Sequence, residues 1–338
     1  MGRRAHERAR FVTLHWPELV ASMVMGLLGT LAARAFARRF GIVNQPNPLV
    51  PQHVKATPYL GGVGVLAGIF GGVAMAVVNA GQWPPLYLLV PAVLFCALGV
   101  WDDLAPMNAR GKLFAQFSAA AVAIALGLRM SVTGVDFVDA ILAAVWIVAC
   151  VNAFNLTDVC DGLVAGISAV CFLGVMVFWP GHALVATIAF GACVGFLPFN
   201  APRASIFLGD AGSHLLGFLA AALSISLPVR GSALPPVLLL LLFVPFAEMV
   251  FVTCVRLRKG LPWYMGSPDH FALRLQGAGW SRWKVDLCAW FVAACAACAA
   301  FAYVSSDWIL RIGILIAFSA FSFVTVRYLL RHEVARRG

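Results

Sequence analysis

Unbroken apolar runs, rather than an alternation of apolar and polar positions, set the pattern of this chain. They fall near residues 17–37, 60–80, 85–101, 113–128, 138–156, 163–179, 183–199, 214–228, 237–255, 285–303 and 308–326, with polar residues gathered between them. A membrane-spanning helix needs roughly 20 apolar residues, and several of these runs stop at about 16. With no water in the bilayer core, backbone groups must be satisfied within a helix or a closed barrel. The length of the runs and the lack of a two-residue period select helices. The pattern predicts an all-α fold, a polytopic membrane bundle of about 10–11 transmembrane helices. It reads as one integral membrane unit over residues 1–338.

Composition sharpens this. Charged residues make up 11% of the chain, against roughly 25% in soluble domains, which excludes a soluble globular protein. The cysteines fall almost entirely inside the apolar runs, where a thiol behaves as a small apolar group. Cys295 and Cys298 form a C-x-x-C on an Ala-rich run without a nearby His, so no redox or metal role is assigned to them. The first run is long and Arg34 interrupts its end, so a cleavable signal peptide is not expected.

The net charge of +10 need not mean nucleic acid. Basic residues beside spans are ordinary topology determinants and headgroup contacts, and no nucleic-acid partner is expected. Assigning loops alternately to the two membrane faces collects Arg38, Arg39, Lys55, Arg110, Lys112, Arg203 and the bases of 256–284 on one face. The positive-inside bias makes that face cytoplasmic, and with no eukaryotic retention signal visible at the C-terminus a bacterial inner membrane is expected. Arg3, Arg4, Arg8 and Arg10 fall on the other face in an eleven-span count, against their local charge. Arg34 and Arg311 lie within runs and are expected to snorkel.

The candidate chemistry sits on the basic face. Of only 14 acidic residues, five occupy three short segments at helix ends: Asp102-Asp103, Asn155 to Leu163 with Asp158 and Asp161, and Phe207 to Ser213 with Asp210. Asp102 and Asp103 repel one another unless a cation is near, and they sit at a helix C-terminus, where the macrodipole disfavours negative charge. Lys112 follows within reach. Asn152, Asn155, Asp158 and Asp161 are spaced by threes, a ladder of oxygen-bearing side chains on one face if the helix persists. Such oxygen donors suit Mg²⁺, or Mn²⁺, shared with phosphates. Small residues around Asp210 allow a ligand to approach the backbone, at a helix start that offers N–H groups to phosphate. The longest loop on this face carries Asp269, His270 and Arg274, an acid, an imidazole and a bidentate phosphate clamp. Glu248 lies within a span and is expected to pair with Arg256 or Arg258.

These segments resemble the polyprenyl-phosphate N-acetylhexosamine-1-phosphate transferases of glycosyltransferase family 4, over about residues 40–285 with two further spans beyond. His53 to Pro58 with Gly61-Gly62 resembles the family's first cytoplasmic loop. Asp102-Asp103 with Lys112 and Gln116 resembles its acidic pair, Asn152 to Leu163 its N-x-x-N-x-x-D-x-x-D-G-L run, and Phe207 to Ser213 its F-x-G-D-x-G-S segment. The chain departs from the pattern at Val159-Cys160, at Glu248 where Asp is usual, and in keeping only His270 where the later loop usually has two or three histidines. The loop is more similar to the branch using UDP-N-acetylglucosamine or a related HexNAc than to the muramyl-pentapeptide branch.

The resemblance implies transfer of a HexNAc-1-phosphate from a UDP-sugar to undecaprenyl or another polyprenyl phosphate, with release of UMP. Asp210 is expected as the main metal ligand with Asp158 or Asn155 beside it, and Asp102 or Asp103 as the group that positions or deprotonates the lipid phosphate. His270 and Arg274 are expected on the pyrophosphate, Lys55, Lys112 and Asn152 as further substrate contacts, Phe207 against uracil and Asp161 on the nucleotide. A homodimer is compatible with this reading. A secondary transporter would carry its ionisable groups near the midplane, and a non-catalytic lipid- or nucleotide-binding relative would retain the motifs without turnover.

Overall fold

The computed structural model describes residues 15–45, 55–262 and 268–332. The N-terminal arginines, His53, Val54, Ser267, Arg336 and Arg337 lie outside them. All eleven apolar runs are helical. In chain order these are α1 (Trp16–Arg39), α2 (Gly61–Ala80), α3 (Leu86–Leu104), α4 (Ala109–Ala125), α5 (Asp136–Thr157), α6 (Leu163–Phe178), α7 (Ala183–Asn200), α8 (Gly209–Ile225), α9 (Leu234–Leu241), α10 (Phe243–Arg258), α11 (Phe271–Gly277), α12 (Arg282–Ser305) and α13 (Trp308–Leu330). Two-residue strands β1 (Val43–Asn44) and β2 (Thr57–Pro58) pair antiparallel, Val43 opposite Pro58. Among the described residues seven helices are long and apolar enough to cross a membrane, or eight if the bent pair at 231–258 counts as one. The shorter α4, α6 and α8 occupy the places of the short runs.

One expected span is not continuous. The run near 237–255 is broken between α9 and α10, whose axes differ by 79°. Pro245 has no N–H to give the carbonyl four residues back, so a helix cannot continue through Leu241 unimpaired. That freed carbonyl is taken by the Cys171 thiol from α6, Sγ to O 3.3 Å.

α8 is the centre of the bundle. Every residue from Ala211 to Ile225 is buried, and α8 packs against α3, α5 and α2. Apart from Ser213, His214 and Ser224 its enclosed part is apolar on all faces, as a fully buried helix requires. By contrast, α13 has almost its whole surface outside the bundle. Arg34 and Arg311 do not simply snorkel. Arg34 donates to Ser205 Oγ (3.0 Å) and lies over the Phe199 ring. Arg311 donates to the Tyr303 and Val304 carbonyls at the end of α12.

Candidate active site

The end of α3, the starts of α4 and α12, the turn between α5 and α6, and the segment leading into α8 converge at one end of the bundle on a cleft of about 1500 Å³. Asp102, Asp103, Asp158, Asp161 and Asp210 all line it. Five carboxylates separated by up to 108 positions in sequence are thus brought to one surface.

Asp103 explains how α8 begins there. Gly209 has φ +73°, a left-handed conformation open to a residue without Cβ. The turn aims the first amides of α8 at Asp103, whose Oδ1 and Oδ2 accept from Asp210 N (3.0 Å) and Ala211 N (3.1 Å). A carboxylate at a helix N-terminus is favoured by the exposed N–H groups. Asp103 stands at the unfavourable end of its own helix because it caps another. The Gly99 position lets α3 approach closely enough. A Cβ there would collide with the Asp210 backbone. Gly99→Ala is therefore expected to push α8 and the Asp210 carboxylate out of place, reducing turnover at least tenfold and lowering the melting temperature, read by activity assay and thermal denaturation in detergent.

Lys112 supplies the cation the acidic pair requires. Its Nζ lies 2.6 Å from Asp102 Oδ2 and 2.8 Å from Asp210 Oδ2, and 3.3 Å from Asn155 Oδ1. Asp102 Oδ1 also accepts from Met107 N at 2.7 Å. Asn155 Nδ2 donates to Asp210 Oδ1 (2.8 Å) and Ser213 Oγ (3.1 Å). One helical turn deeper, the same three helices contribute a second polar layer: Gln116 below Lys112, Asn152 below Asn155, His214 below Asp210. Asn152 Nδ2 donates to the Val148 carbonyl (2.8 Å) and to Gln116 Oε1 (2.7 Å). That fixes the Gln116 amide so that its Nε2, 3.3 Å away, donates to His214 Nε2, which then carries no proton. Asn152, expected on substrate, is half-buried and hydrogen-bonded within this layer.

The ladder from Asn152 to Asp161 is interrupted. α5 ends at Thr157, Asp158 is its terminal residue with ψ 57°, and Gly162 turns into α6 with φ +76°. The two aspartates consequently diverge. No described residue pairs with the half-buried Asp158 carboxyl, which desolvation, then Asp210, Asp103 and Asp161, push well above the ordinary aspartate range. Asp161 is buried and satisfied within the protein. Its Oδ2 accepts from Arg203 N (3.1 Å), Ala204 N (3.2 Å) and Arg282 NH1 (3.1 Å).

Phe207 lines the cleft and is held by its backbone, N to Pro58 O 2.8 Å and O to Gly61 N 3.0 Å. Lys55 lines it and is exposed.

His270 and Arg274 do not line the cleft. His270 Nδ1 is 2.8 Å from Glu248 Oε1, and Phe271 N donates to Glu248 Oε2. His270 and Phe271 thus hydrogen-bond Glu248, while the buried Arg256 expected beside it acts on the same carboxylate through its charge. Arg274 is buried, with NH2 2.6 Å from Asp269 Oδ1 and NH1 on the carbonyls of Leu329 and His332. It ties the loop to the end of α13, where those carbonyls have no helical partner. Sequence reasoning missed Arg203, Arg38, Tyr59 and Arg282 at the cleft. Their only signal was a basic or aromatic residue on the basic face.

A model of glycosyl transferase family 4 matches residues 85–228. The chain is 30% identical over 316 residues to the decaprenyl-phosphate N-acetylglucosaminephosphotransferase of Mycobacterium tuberculosis, covering 79% of this chain and 77% of that protein. It is 28% identical over 282 residues to a probable undecaprenyl-phosphate N-acetylglucosaminyl 1-phosphate transferase of Bacillus subtilis, covering 78% and 77%. It is 28% identical over 341 residues to the undecaprenyl-phosphate alpha-N-acetylglucosaminyl 1-phosphate transferase of Escherichia coli K12, covering 92% and 90%.

Proposed function

This integral membrane chain belongs to glycosyl transferase family 4, and from that premise we propose that it transfers a HexNAc-1-phosphate, N-acetylglucosamine-1-phosphate in the first instance, from a UDP-sugar to a polyprenyl phosphate. The reaction runs at the cytoplasmic face of a bacterial inner membrane. The observation that carries the proposal is the cleft at one end of the apolar bundle, where five carboxylates stand among Arg38, Lys55, Lys112, Arg203 and Arg282. Such a mixture suits anionic diphosphates held with a hard cation.

An oxygen of the lipid phosphate forms a bond to the β-phosphorus of the donor. The bond from that phosphorus to the oxygen bridging the α-phosphorus breaks, and UMP leaves with the electron pair. Both reactants are anions, so lowering their repulsion is the main task. A phosphate monoester is already largely ionised at neutral pH, its second pKa being about 6, so no strong base is needed. Asp102 and Asp103, one of which is expected to position or deprotonate the lipid phosphate, are engaged with Lys112 and the α8 amides. Their part is to hold Lys112 and Asp210 where the phosphates arrive. Phe207 offers an aromatic face for the base.

Mg²⁺, or Mn²⁺, fits these residues. The donors are oxygens, and Asp158 has no described cation beside it although other carboxylates surround it. Among the described residues no three His, Cys, Asp or Glu side chains form a ready cage, so water and substrate oxygens would have to complete the coordination. Asp210 and Asp158, with Asn155, would hold it. The ion would neutralise developing charge on the diphosphate.

Purified protein in detergent, given undecaprenyl phosphate, Mg²⁺ and a panel of UDP-sugars, is expected to release UMP with UDP-N-acetylglucosamine or a related HexNAc donor. Release should cease with EDTA and fall at least a thousandfold in Asp210→Asn. Folded wild-type protein that releases no UMP from any donor would overturn the proposal.

A further inference from the structure

Sequence reasoning placed the phosphate clamp at Arg274, which the fold spends on tying down α13. The cleft needs another. We infer that Arg203 is a phosphate-binding residue of the cleft, set in place by Asp161. This rests on the transfer reaction proposed above and deepens it.

Arg203 lies in the segment between α7 and α8 and lines the cleft. Its φ is +74°; among the described residues only Leu60 is another non-glycine with positive φ. Residues bearing a Cβ disfavour this conformation, so the surroundings must impose it, and such outliers cluster at functional sites. The imposing group is Asp161. One of its oxygens takes the consecutive amides of Arg203 and Ala204 at 3.1 and 3.2 Å. The segment is stitched on both sides: Asn200 Oδ1 accepts from Gly162 N (3.0 Å), Asn200 Nδ2 donates to the Ile206 carbonyl (3.1 Å), and Ser205 N donates to the Phe199 carbonyl (2.8 Å).

The backbone is thus immobilised while the side chain is left exposed and without a described partner. The other cations of the cleft differ. Lys112 is shared between Asp102 and Asp210, and Arg282 is paired with Asp161. Arg38 lies in the last turn of a helix, and among the described residues no comparable clasp holds the backbone of Lys55. A guanidinium with unused donors on a fixed backbone is suited to bidentate phosphate recognition. Asp161 then acts through Arg203 rather than on the nucleotide itself.

Two ligands bring phosphate to the cleft, the donor diphosphate and the lipid phosphate. Arg203→Gly separates backbone from side chain, because glycine adopts positive φ freely. UDP, uridine and undecaprenyl phosphate are the probes, measured by calorimetric titration of the full-length protein, together with KM for each substrate. We expect Arg203→Gly to weaken UDP binding and raise donor KM at least tenfold, to leave uridine binding and melting temperature within error, and Arg203→Lys to recover part of the loss. The same loss on undecaprenyl phosphate, with UDP unchanged, would keep the phosphate role and assign it to the acceptor. Affinities for both phosphates within twofold of wild type would overturn the inference, as would equal losses for UDP and uridine, which mark a structural effect. Wild-type protein that binds UDP but transfers nothing would refute the reaction while leaving the Arg203 test intact. Wild-type protein that binds neither phosphate would refute both.

Discussion

Lys112→Met is expected to abolish transfer, with UMP release falling at least a thousandfold, and to lower the melting temperature as well. A single ammonium lies within 2.8 Å of two carboxylates from different helices, and the Asp103 carboxylate is bonded to the backbone of Asp210 itself. Removing the cation leaves three clustered acids with no described base between them, and partly buried charges left without a partner are costly. The rate loss corresponds to about 4 kcal/mol of lost electrostatic stabilisation. The double variant Lys112→Met, Asp102→Asn removes one charge of each sign. It should recover much of the melting temperature but none of the turnover. That split separates the lysine's hold on the bundle from its action on phosphate. Transfer within tenfold of wild type in Lys112→Met would show that the central cation is dispensable to the reaction.

The second large effect lies away from the cleft. Arg274→Ala should destabilise the protein by about 3 kcal/mol, the low end of the cost of breaking a buried pair, because Asp269 keeps Lys259 while the Leu329 and His332 carbonyls lose their donor. Arg274 and Asp269 are both nearly inaccessible and 2.6 Å apart, while Lys259 holds the same carboxylate at 2.8 Å. Burial raises the Asp269 carboxyl, but hydrogen bonds from Lys259 and Arg274 outweigh it and leave it below the ordinary aspartate range. A carboxyl depressed by folding contributes stability above its unfolded pKa and loses that contribution as pH falls through the folded one. The deficit of Asp269→Asn against wild type should therefore be full at pH 7 and shrink below about pH 4. Donor KM in Arg274→Ala, measured below its melting temperature, should stay within threefold of wild type. A tenfold rise without loss of stability would return Arg274 to the substrate.

The helices themselves were legible in the sequence because apolar length is a local property. A run of leucine, valine and alanine in lipid has few options besides a helix, and all eleven expected runs are helical. The break at Leu242 was legible in principle, since Pro245 removes the amide that a continuous helix needs. The five aspartates were legible as a set because charge is scarce in this chain. Their individual partners were not. Asp103 caps a helix that begins more than a hundred residues later, and Asp161 clasps the loop of Arg203. Periodicity carried Asp158 and Asp161 onto one helical face, but the helix ends at Thr157.

The sequence by itself determined that this is a helical membrane protein with its scarce acids at one face, because hydropathy and charge placement act over a few residues at a time. Tertiary structure alone decided which charges meet. It gave Lys112 to Asp102 and Asp210, withdrew His270 to Glu248 and Arg274 to Asp269, and left Arg203 facing the cleft. The physical reason is range. An ion pair is set by separations of about 3–4 Å through space, and no local pattern in the chain encodes which distant residue will stand there.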